Sequence, residues 1–550
     1  MTASSRNITL FWEVFHKVAA IIPKIPNTTD EVPEYLAALR YLYDRIDYEK
    51  IGATPYTLGY YRLDRMRKLL DALGRPHQQY PILHVAGTKG KGTTATLLAA
   101  ALQASGRRTG LYTSPHLLRL EERIQVDGTA CSPAELIALT SMVRSAAADL
   151  ESGGEGRATF FELTTAMGML HFAQQKAQAV VLEVGLGGRL DSTNVCTPVV
   201  SIITSISLDH QAQLGSSLDA IAREKAGIIK PNVPVVCIAR SPEARQAIAS
   251  VATTQQAAVQ FIDRDFYVTW SPQRTPFDSP AADSPATISP ATISPATGSP
   301  ATGLCHEGSG LPSDGAIVHY ELGCPEYAPR SANLARLQTA SPADELQRST
   351  ASAEQDLTGC WQTCLLGSHQ ADNIAAVLTT LRLLQQQGWQ LPRAAIQQAL
   401  AVAHPPARLQ IVSRQPLAII DSAHNPASVA AGLAALNDHF PDRPVTVVFA
   451  ASRDKDWEQM LEMLAARASR LILTAYQKNP RGLPIADLRH RAQQLLDSPG
   501  AHTHGSLDIE SAESPAAAWA LACHTAPAGQ VVYSTGSFFL AAEIMSSLVE

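Results

Sequence analysis

At 550 residues, with 45 % hydrophobic and 17 % charged residues, the chain is long enough for more than one buried core and has the make-up of a globular enzyme. A net charge of −6 gives no electrostatic footprint for nucleic acid, so anionic small-molecule substrates would need a local basic patch. No run reaches the ~18 to 20 apolar residues that span a bilayer, and the eight cysteines are scattered like reduced thiols rather than packed into a secreted framework; together these features predict a cytoplasmic protein.

Leu10, Phe11, Val14, Phe15 and Val18 have helical spacing, interrupted by Glu13, His16 and Lys17. This reads as a docking helix within an N-terminal extension over 1–33 rather than as a secretory segment. Pro33 to Gly74 is helical in pattern, with Tyr35, Leu36, Leu39, Tyr41 and Leu42 on one stripe. An apolar strand, Ile82 to Val85, then runs through Gly87-Thr88-Lys89-Gly90-Lys91-Gly92-Thr93-Thr94 into an Ala/Leu-rich helix. Glycines that admit positive φ, the helix N-terminus, the Lys91 charge and a Thr93 hydroxyl for Mg²⁺ suit nucleotide phosphates. The spacing is a variant of the usual phosphate loop, and a tight structural turn is the alternative.

Ala179 to Glu183 and Val199 to Ile206 are near-continuous Val/Ile/Leu runs, as expected of strands buried on both faces of a mainly parallel sheet. After Trp270 the composition breaks. The pentad Ser-Pro-Ala-Thr-x repeats from Ser284 to Gly303, too polar and too proline-rich to offset its ordering entropy. Ser271 to Asp314 therefore reads as a disordered surface insertion, with weakly specified sequence to about Thr358. Order resumes at Leu365, with a helix from Ala371 to Gln387. Cys360-x3-Cys364 with His369 nearby lacks the second ligand pair of a zinc finger and reads as packing or surface thiols.

From Pro416 a second α/β rhythm begins: strand Leu417 to Ile420, helix Ala427 to His439, strand Val445 to Ala450, helix Asp456 to Ala468, strand Leu471 to Thr474, strand Gln530 to Ser534 and a terminal helix. The expected organisation is a nucleotide-binding α/β domain over 34–410, carrying the insertion at 271–358, and a smaller Rossmann-like domain over 411–550, with the active site in the cleft between them.

Several carboxylates and bases fall at strand ends. Glu183 closes a buried strand and precedes Gly185-Leu186-Gly187-Gly188-Arg189-Leu190-Asp191; it suits a Mg²⁺ ligand beside a phosphate loop, or a plain acid at a turn. Leu208-Asp209-His210 is expected to end the next strand, where His210 is a metal ligand or a satisfied structural histidine. Ser114, in Thr113-Ser114-Pro115-His116, could add a hydroxyl oxygen.

These motifs, with Thr159-Phe160-Phe161-Glu162, Glu224 to Lys230, Gly367-x-His369-Gln370-x-x-Asn373, Arg408, Asp421-x-Ala423-His424-Asn425-Pro426, Asp454-Lys455-Asp456 and Thr535-Gly536-Ser537, occur in an order that resembles the folylpolyglutamate synthase and dihydrofolate synthase family of the Mur ligase superfamily. The resemblance implies an α/β, Mur-ligase-like fold and an ATP-dependent amide ligase. Such an enzyme joins the carboxyl of dihydropteroate or a reduced folate to the amine of L-glutamate through an acyl phosphate, as a monomer without nucleic-acid or membrane partners. By the same resemblance Gly87, Thr88, Gly90, Lys91, Gly92, Thr93 and Thr94 cradle ATP, Asn373 contacts adenine, and Arg408 and Asp421 reach phosphates and ribose. Ser114 and Glu183 would hold one Mg²⁺, and His210 with Glu183 a second.

Lys91, His210, Lys225 and His424 are the implied catalytic set. Lys225 matches a carbamylated lysine, its alternative being an ordinary amine that pairs Glu224 or phosphate; a monovalent cation is also allowed. Thr159, Phe161, Arg189 and Asp191 match a pterin cradle, with Phe161 either stacking on the ring or packing in the core. Retention of Arg189 and Asp191 favours the dual activity over a single-activity folylpolyglutamate synthase, and a phosphate-loop NTPase switch without ligation is the reading from another class. The chain departs from the family pattern at Lys89 for Asn, Ala407 for Gly and Ser422 for Gly, which touches substrate choice more than reaction class.

Overall fold

The computed structural model describes residues 31–45, 63–273, 315–322, 356–477, 479, 481–497 and 507–549. The helix expected around Leu10 to Val18, and most of the extension over 1–33, lie outside these residues. The first described helix is Glu31–Tyr43, which begins two residues before Pro33, where the helical pattern was expected to start.

The described strands are β1 (Ile82–Ala86), β2 (Thr109–Tyr112), β3 (Ile124–Val126), β4 (Thr129–Ala130), β5 (Ala179–Glu183), β6 (Val200–Ile203), β7 (Val235–Cys237), β8 (Val259–Phe261), β9 (Phe266–Gln273), β10 (Gly315–Leu322), β11 (Gly359–Thr363), β12 (Gln410–Arg414), β13 (Leu417–Ile420), β14 (Val445–Phe449), β15 (Arg470–Leu473), β16 (Asp508–Ser511) and β17 (Val531–Thr535). They form three sheets. The first has order β4-β3-β2-β5-β1-β6-β7-β8, parallel from β2 to β8 with an antiparallel edge at β3 and β4. β1 and β5 are buried at every position because helices cover both faces, which is why their sequences show no polar alternation.

The second unit is built on β12-β13-β17-β14-β15-β16, parallel except for the β12 edge. Its core runs from Leu417 and Ile419 through Val447 and Phe449 to Val531 and Tyr533. Local signals start the helices where tertiary packing needs them. Ser132 with Glu135 and Thr159 with Glu162 form reciprocal capping boxes ahead of helices Pro133–Ser152 and Phe160–Gln174. Leu117, from the loop after β2, packs into the second unit's cluster with Ala407, Ile420 and Val448, so the two units share apolar contact.

Two expectations are corrected. Gly315 to Leu322, read as weakly specified insertion, is a strand. It pairs antiparallel with β9 over its whole length and with β11 on its other side, burying Ala316, Val318 and Tyr320 against the first unit while Ile317, His319 and Glu321 alternate outward. The Pro/Ser/Ala composition upstream hid this alternation. Val199 to Ile206 is also shorter as a strand, ending at Ile203, so Asp209 and His210 sit on the following loop rather than at the strand's end. The pentad repeats lie outside the described residues. Among the described residues no helix is long and apolar enough to cross a membrane.

Candidate active site

β1 delivers the chain into the glycine loop, and Gly90, at φ 86°, starts helix Lys91–Ala104. Neighbouring elements leave no room for a side chain at Gly87 or Gly90. A Cβ on Gly87 would lie 1.8 Å from Thr204 Oγ1, and one on Gly90 would lie 2.3 Å from Asn373 Oδ1. The loop is further fixed by a set of hydroxyls that sequence reasoning passed over. Thr204 Oγ1 donates to Lys89 O at 2.7 Å, Ser205 Oγ to the same carbonyl at 3.1 Å, and Ser207 N to Thr88 Oγ1 at 3.1 Å. The run of Thr and Ser after β6 was the available signal.

Lys91 folds back so that Nζ donates to Gly87 O at 3.2 Å, and Lys225 Nζ reaches the same carbonyl at 2.8 Å. Burial first, and then the charge of Lys91, pull the Lys225 amine down to about 7. Lys89 pairs with Asp209 at 3.1 Å. Burial alone would raise the Asp209 carboxyl, but Lys89 and His210 hold it at about 2. Thr93 and Thr94 are buried in the helix's first turn, where Thr94 Oγ1 lies 3.5 Å from Asn373 Oδ1. Asn373 is oriented by its own Nδ2 donating to Gln370 Oε1 at 2.8 Å.

Glu183 is buried at the end of β5, accepts from Ser114 N at 3.1 Å, and lies 3.5 Å from where a Gly92 Cβ would be. Burial raises its carboxyl above the usual range, opposed by Lys91, the Ser114 bond, Arg408 and Arg123. His210 adopts φ 50° with 54 % of its side chain exposed in the cleft. Enclosure there, with the charges of Lys91, Lys225 and Lys455, keeps its imidazole below the ordinary value against the pull of Asp209.

The second unit answers from the other side of the cleft. Asp421, buried at the end of β13, accepts from Tyr533 Oη at 3.0 Å, and Arg408 is the main charge opposing its burial. His424 is held down to about 4 by enclosure and then by Lys89, Arg408 and Lys455. Lys91, Lys225 and Lys455 act on His210, and Lys89, Arg408 and Lys455 on His424, so cations of the first unit, Arg408 at the junction and Lys455 of the second unit gather about these two histidines. In a chain of net negative charge this is the local basic patch that an anionic substrate requires.

The residues expected around a pterin are arranged differently from one another. Phe161 lies edge-on to Tyr112 with ring centroids 6.2 Å apart and rests on Gly185, where a Cβ would come within 2.4 Å of the ring. Arg189 makes a forked pair with Glu224 at 2.8 Å. Thr159 Oγ1 is engaged with Glu162 in the capping box. Asp191 is buried and accepts from Gly185 N, Leu186 N, Thr193 N and Thr193 Oγ1, which moulds the glycine turn from within.

Cys364 faces Ala403 O at 3.6 Å while Cys360 faces His319, so the two thiols do not converge. Among the described residues no group of three or more His, Cys, Asp or Glu side chains is placed to hold a metal. A carboxylate and a hydroxyl are nevertheless oxygen donors of the type Mg²⁺ accepts, and a buried Glu183 beside a glycine loop fits such an ion.

Comparison with known proteins agrees with this geometry. Residues 85–271 match the Mur ligase middle domain and 407–538 the glutamate ligase domain of Mur ligases. A folylpolyglutamate synthase of Lacticaseibacillus casei is 34 % identical over 431 residues, covering 77 % of this chain and 83 % of the relative. A dihydrofolate synthase/folylpolyglutamate synthase of Escherichia coli K12 is 28 % identical over 525 residues, covering 96 % and 97 %. The solved Mycobacterium tuberculosis folylpolyglutamate synthase, complexed with ADP and AMPPCP, superposes with a TM-score of 0.69 at 26 % identity, over 94 % of this chain and 99 % of that one. The fold, the two-sided cationic cleft and these likenesses lead to one conclusion: the chain belongs to the folylpolyglutamate synthase and dihydrofolate synthase family of ATP-dependent ligases with the Mur-ligase fold.

Proposed function

We propose that the protein carries out both reactions of its family, joining L-glutamate to dihydropteroate and to reduced folates with conversion of ATP to ADP and phosphate. The observation that carries this reading is the meeting of Lys89, Lys91 and Lys225 with Arg408 and Lys455 around His210 and His424, since a polyphosphate is the ligand that needs cations from both walls of one cleft. A carboxylate is a poor electrophile. Transfer of the γ-phosphoryl group to it gives an acyl phosphate, which the glutamate amine attacks, forming the amide and expelling phosphate. Closure of a ligase unit, 411–550, on an ATP-binding unit, 34–410, would bring Asp421, together with Arg408 in the linker between the units, against the nucleotide.

In this reading the loop N–H groups from Gly87 to Thr94 and Lys91 hold the phosphates, and Asn373 orients the adenine. Glu183 with Ser114 would hold one Mg²⁺ and Glu183 with His210 a second; bound there, the ions neutralise charge on the transferring phosphoryl group. His424 sits on the facing wall, where a neutral imidazole can accept a proton from the attacking amine. Lys225, with its amine near neutrality, can add CO₂ to give a carbamate and release a proton, which turns a cation into an oxygen ligand. A monovalent cation is compatible with the same oxygen-rich cleft. Phe161 offers its face to the pterin, and Arg189 would exchange its Glu224 partner for substrate. We take the enzyme to be a monomer of the cytoplasm, a reducing compartment with which the free thiols of Cys131, Cys196, Cys237, Cys360, Cys364 and Cys523 accord.

The test is purified protein with Mg-ATP and L-glutamate, offered dihydropteroate or tetrahydrofolate separately, with products identified by mass spectrometry. A new amide on both acceptors supports the dual activity, and one on tetrahydrofolate alone reduces it to a folylpolyglutamate synthase. ATP hydrolysis that ignores glutamate and both acceptors would overturn the ligase reading in favour of an NTPase switch.

A further inference from the structure

Away from the cleft, the small antiparallel sheet formed by β9, β10 and β11 carries a second constellation of reactive side chains. His319 is directly opposite Cys360 in the β10–β11 register, and Glu321 follows two residues on, on the same outward face. His319 Nδ1 lies 3.4 Å from Cys360 Sγ, and its Nε2 lies 2.9 Å from Glu321 Oε1. The carboxylate accepts from Nε2–H and so fixes the tautomer that turns a basic Nδ1 toward the thiol. The donors are strung along the imidazole, one at each nitrogen, and do not converge on a point where a metal could sit. Cys360 is only half-buried, whereas Cys131, Cys196 and Cys237 are buried.

We propose that Cys360 is a reactive thiol, activated by His319 and Glu321, that forms a mixed disulfide with a low-molecular-weight disulfide of the glutathione type. The thiol proton moves from Sγ to Nδ1 of His319. The thiolate attacks one sulfur of the reagent, whose S–S bond breaks as the Cys360–S bond forms, and the released thiolate takes a proton from solvent. Cys360 is oxidised and one half of the reagent reduced. The site lies outside the cleft that holds Glu183, Lys225 and Asp421, and it does not depend on the ligase reading.

The surroundings favour this chemistry. The His319 imidazole is raised to about 9, chiefly by its bond to Cys360 and then by Glu321 against the cost of burial, so a proton taken from Sγ stays on the ring at neutral pH. The groups facing it are Glu321 on its own strand, Cys360 on β11, and Thr269 and Tyr267 on β9, opposite His319 and Glu321 respectively. Arg393 donates to Cys360 O at 3.3 Å, with its guanidinium over the Trp361 ring, and so braces the backbone of β11 at this position. A protonated imidazole in contact with a thiol favours transfer of the sulfur's proton to a neighbouring base.

The experiment is exposure of the full-length protein to glutathione disulfide, with the site of the adduct mapped by peptide mass spectrometry as a function of time and pH. Cys360 should be modified first, with a rate that stays nearly level from about pH 8 to pH 6. His319→Gln should slow its modification at pH 6.5 at least about tenfold, and Glu321→Gln by less, while neither changes ligase turnover. First modification at Cys305, Cys324, Cys364 or Cys523 would overturn the proposal. So would an undiminished rate in the His319 variant, or a wild-type rate that falls tenfold per pH unit below about pH 8.5 as for an ordinary thiol. The wild-type pH profile decides the matter even if the variant does not fold.

Discussion

The amine of Lys225 donates to the carbonyl of Gly87 at 2.8 Å, tying helix Leu218–Ala226 to the first residue of the phosphate loop. Lys91 shares that carbonyl, so two amines crowd one acceptor, and burial with this repulsion brings Lys225 to about 7. A fixed amine near neutrality, with no carboxylate in contact among the described residues, is the state that the proposed carbamate requires.

Lys225→Met should lower ligase turnover by about 100-fold or more, because it removes both the amine and any carbamate formed on it. With ¹³C-labelled bicarbonate the wild type should show a carbamate carbonyl resonance that the variant lacks. A wild-type spectrum without that resonance, under conditions of full activity, would rule out the carbamate while leaving the amine's role intact.

The same lysine links stability to pH. Its folded pKa of about 7 lies below the ordinary lysine value of 10.5, so between these two values the unfolded chain binds more protons and stability gains as pH rises. Below about 7 both states carry the proton and the full penalty of a buried cation applies. In CO₂-free buffer without nucleotide, the thermal midpoint of the wild type relative to Lys225→Met should therefore climb from pH 7 to pH 9. Parallel midpoints across that range would show that Lys225 keeps its ordinary basicity.

Ala407 and Ser422, two of the positions where glycine is the family residue, meet in space. Ser422 N and Oγ both donate to Ala407 O, at 2.8 and 2.9 Å, and Ala407 is buried at φ 51°. The paired hydroxyl holds the strained residue beside Arg408. Returning glycine at 407 relieves a left-handed alanine, about 1–2 kcal/mol, and gives back part of that through a looser unfolded chain. Ala407→Gly should thus stabilise the protein by about 0.5 kcal/mol, readable in urea unfolding, with little change in turnover. A loss of stability instead would mean that the Ser422 bonds compensate fully.

How much of this was legible in the sequence depended on whether the signal was local. Glu183 announces itself because a carboxylate ends five buried positions of β5, and the helix caps at Ser132 and Thr159 follow from their Glu partners three residues on. Asp191 was legible as a position but not in its contacts, since its four donors come from both sides of a turn whose shape only folding fixes. The Thr204, Ser205 and Ser207 clamp on the phosphate loop joins residues more than a hundred positions apart, beyond any periodicity. β10 was missed because eight alternating residues stood beside a long Pro/Ser/Ala tract, and composition outweighed pattern.

Gly90 makes the nucleotide prediction specific. At φ 86°, with Asn373 Oδ1 2.3 Å from the place of a Cβ, alanine there must both strain the backbone and displace Asn373. Gly90→Ala should weaken ATP binding at least about tenfold by calorimetry while the L-glutamate KM changes little. Gly74→Ala, also at positive φ but with open space around it, supplies the control for strain alone. Equal losses of nucleotide affinity in both variants would remove the Asn373 contact from the explanation.

Asp191→Asn tests whether the glycine turn is held from within or is part of the acceptor site. The amide can keep one accepting oxygen, so two of the four donors among Gly185 N, Leu186 N, Thr193 N and Thr193 Oγ1 lose their partner. Each buried donor left unpaired costs about 1–3 kcal/mol. Gly185 carries the Phe161 ring, and Thr193 Oγ1 is also bonded to His84 Nε2 at 2.8 Å on β1, so the disturbance should run toward the folate side. The expected outcome is a thermal midpoint lowered by several degrees, with the KM for the pteridine acceptor raised more than that for ATP, measured by steady-state kinetics well below the new midpoint. A variant of native stability that loses only acceptor affinity would instead make Asp191 a direct substrate ligand, because breaking an internal brace cannot leave the fold untouched.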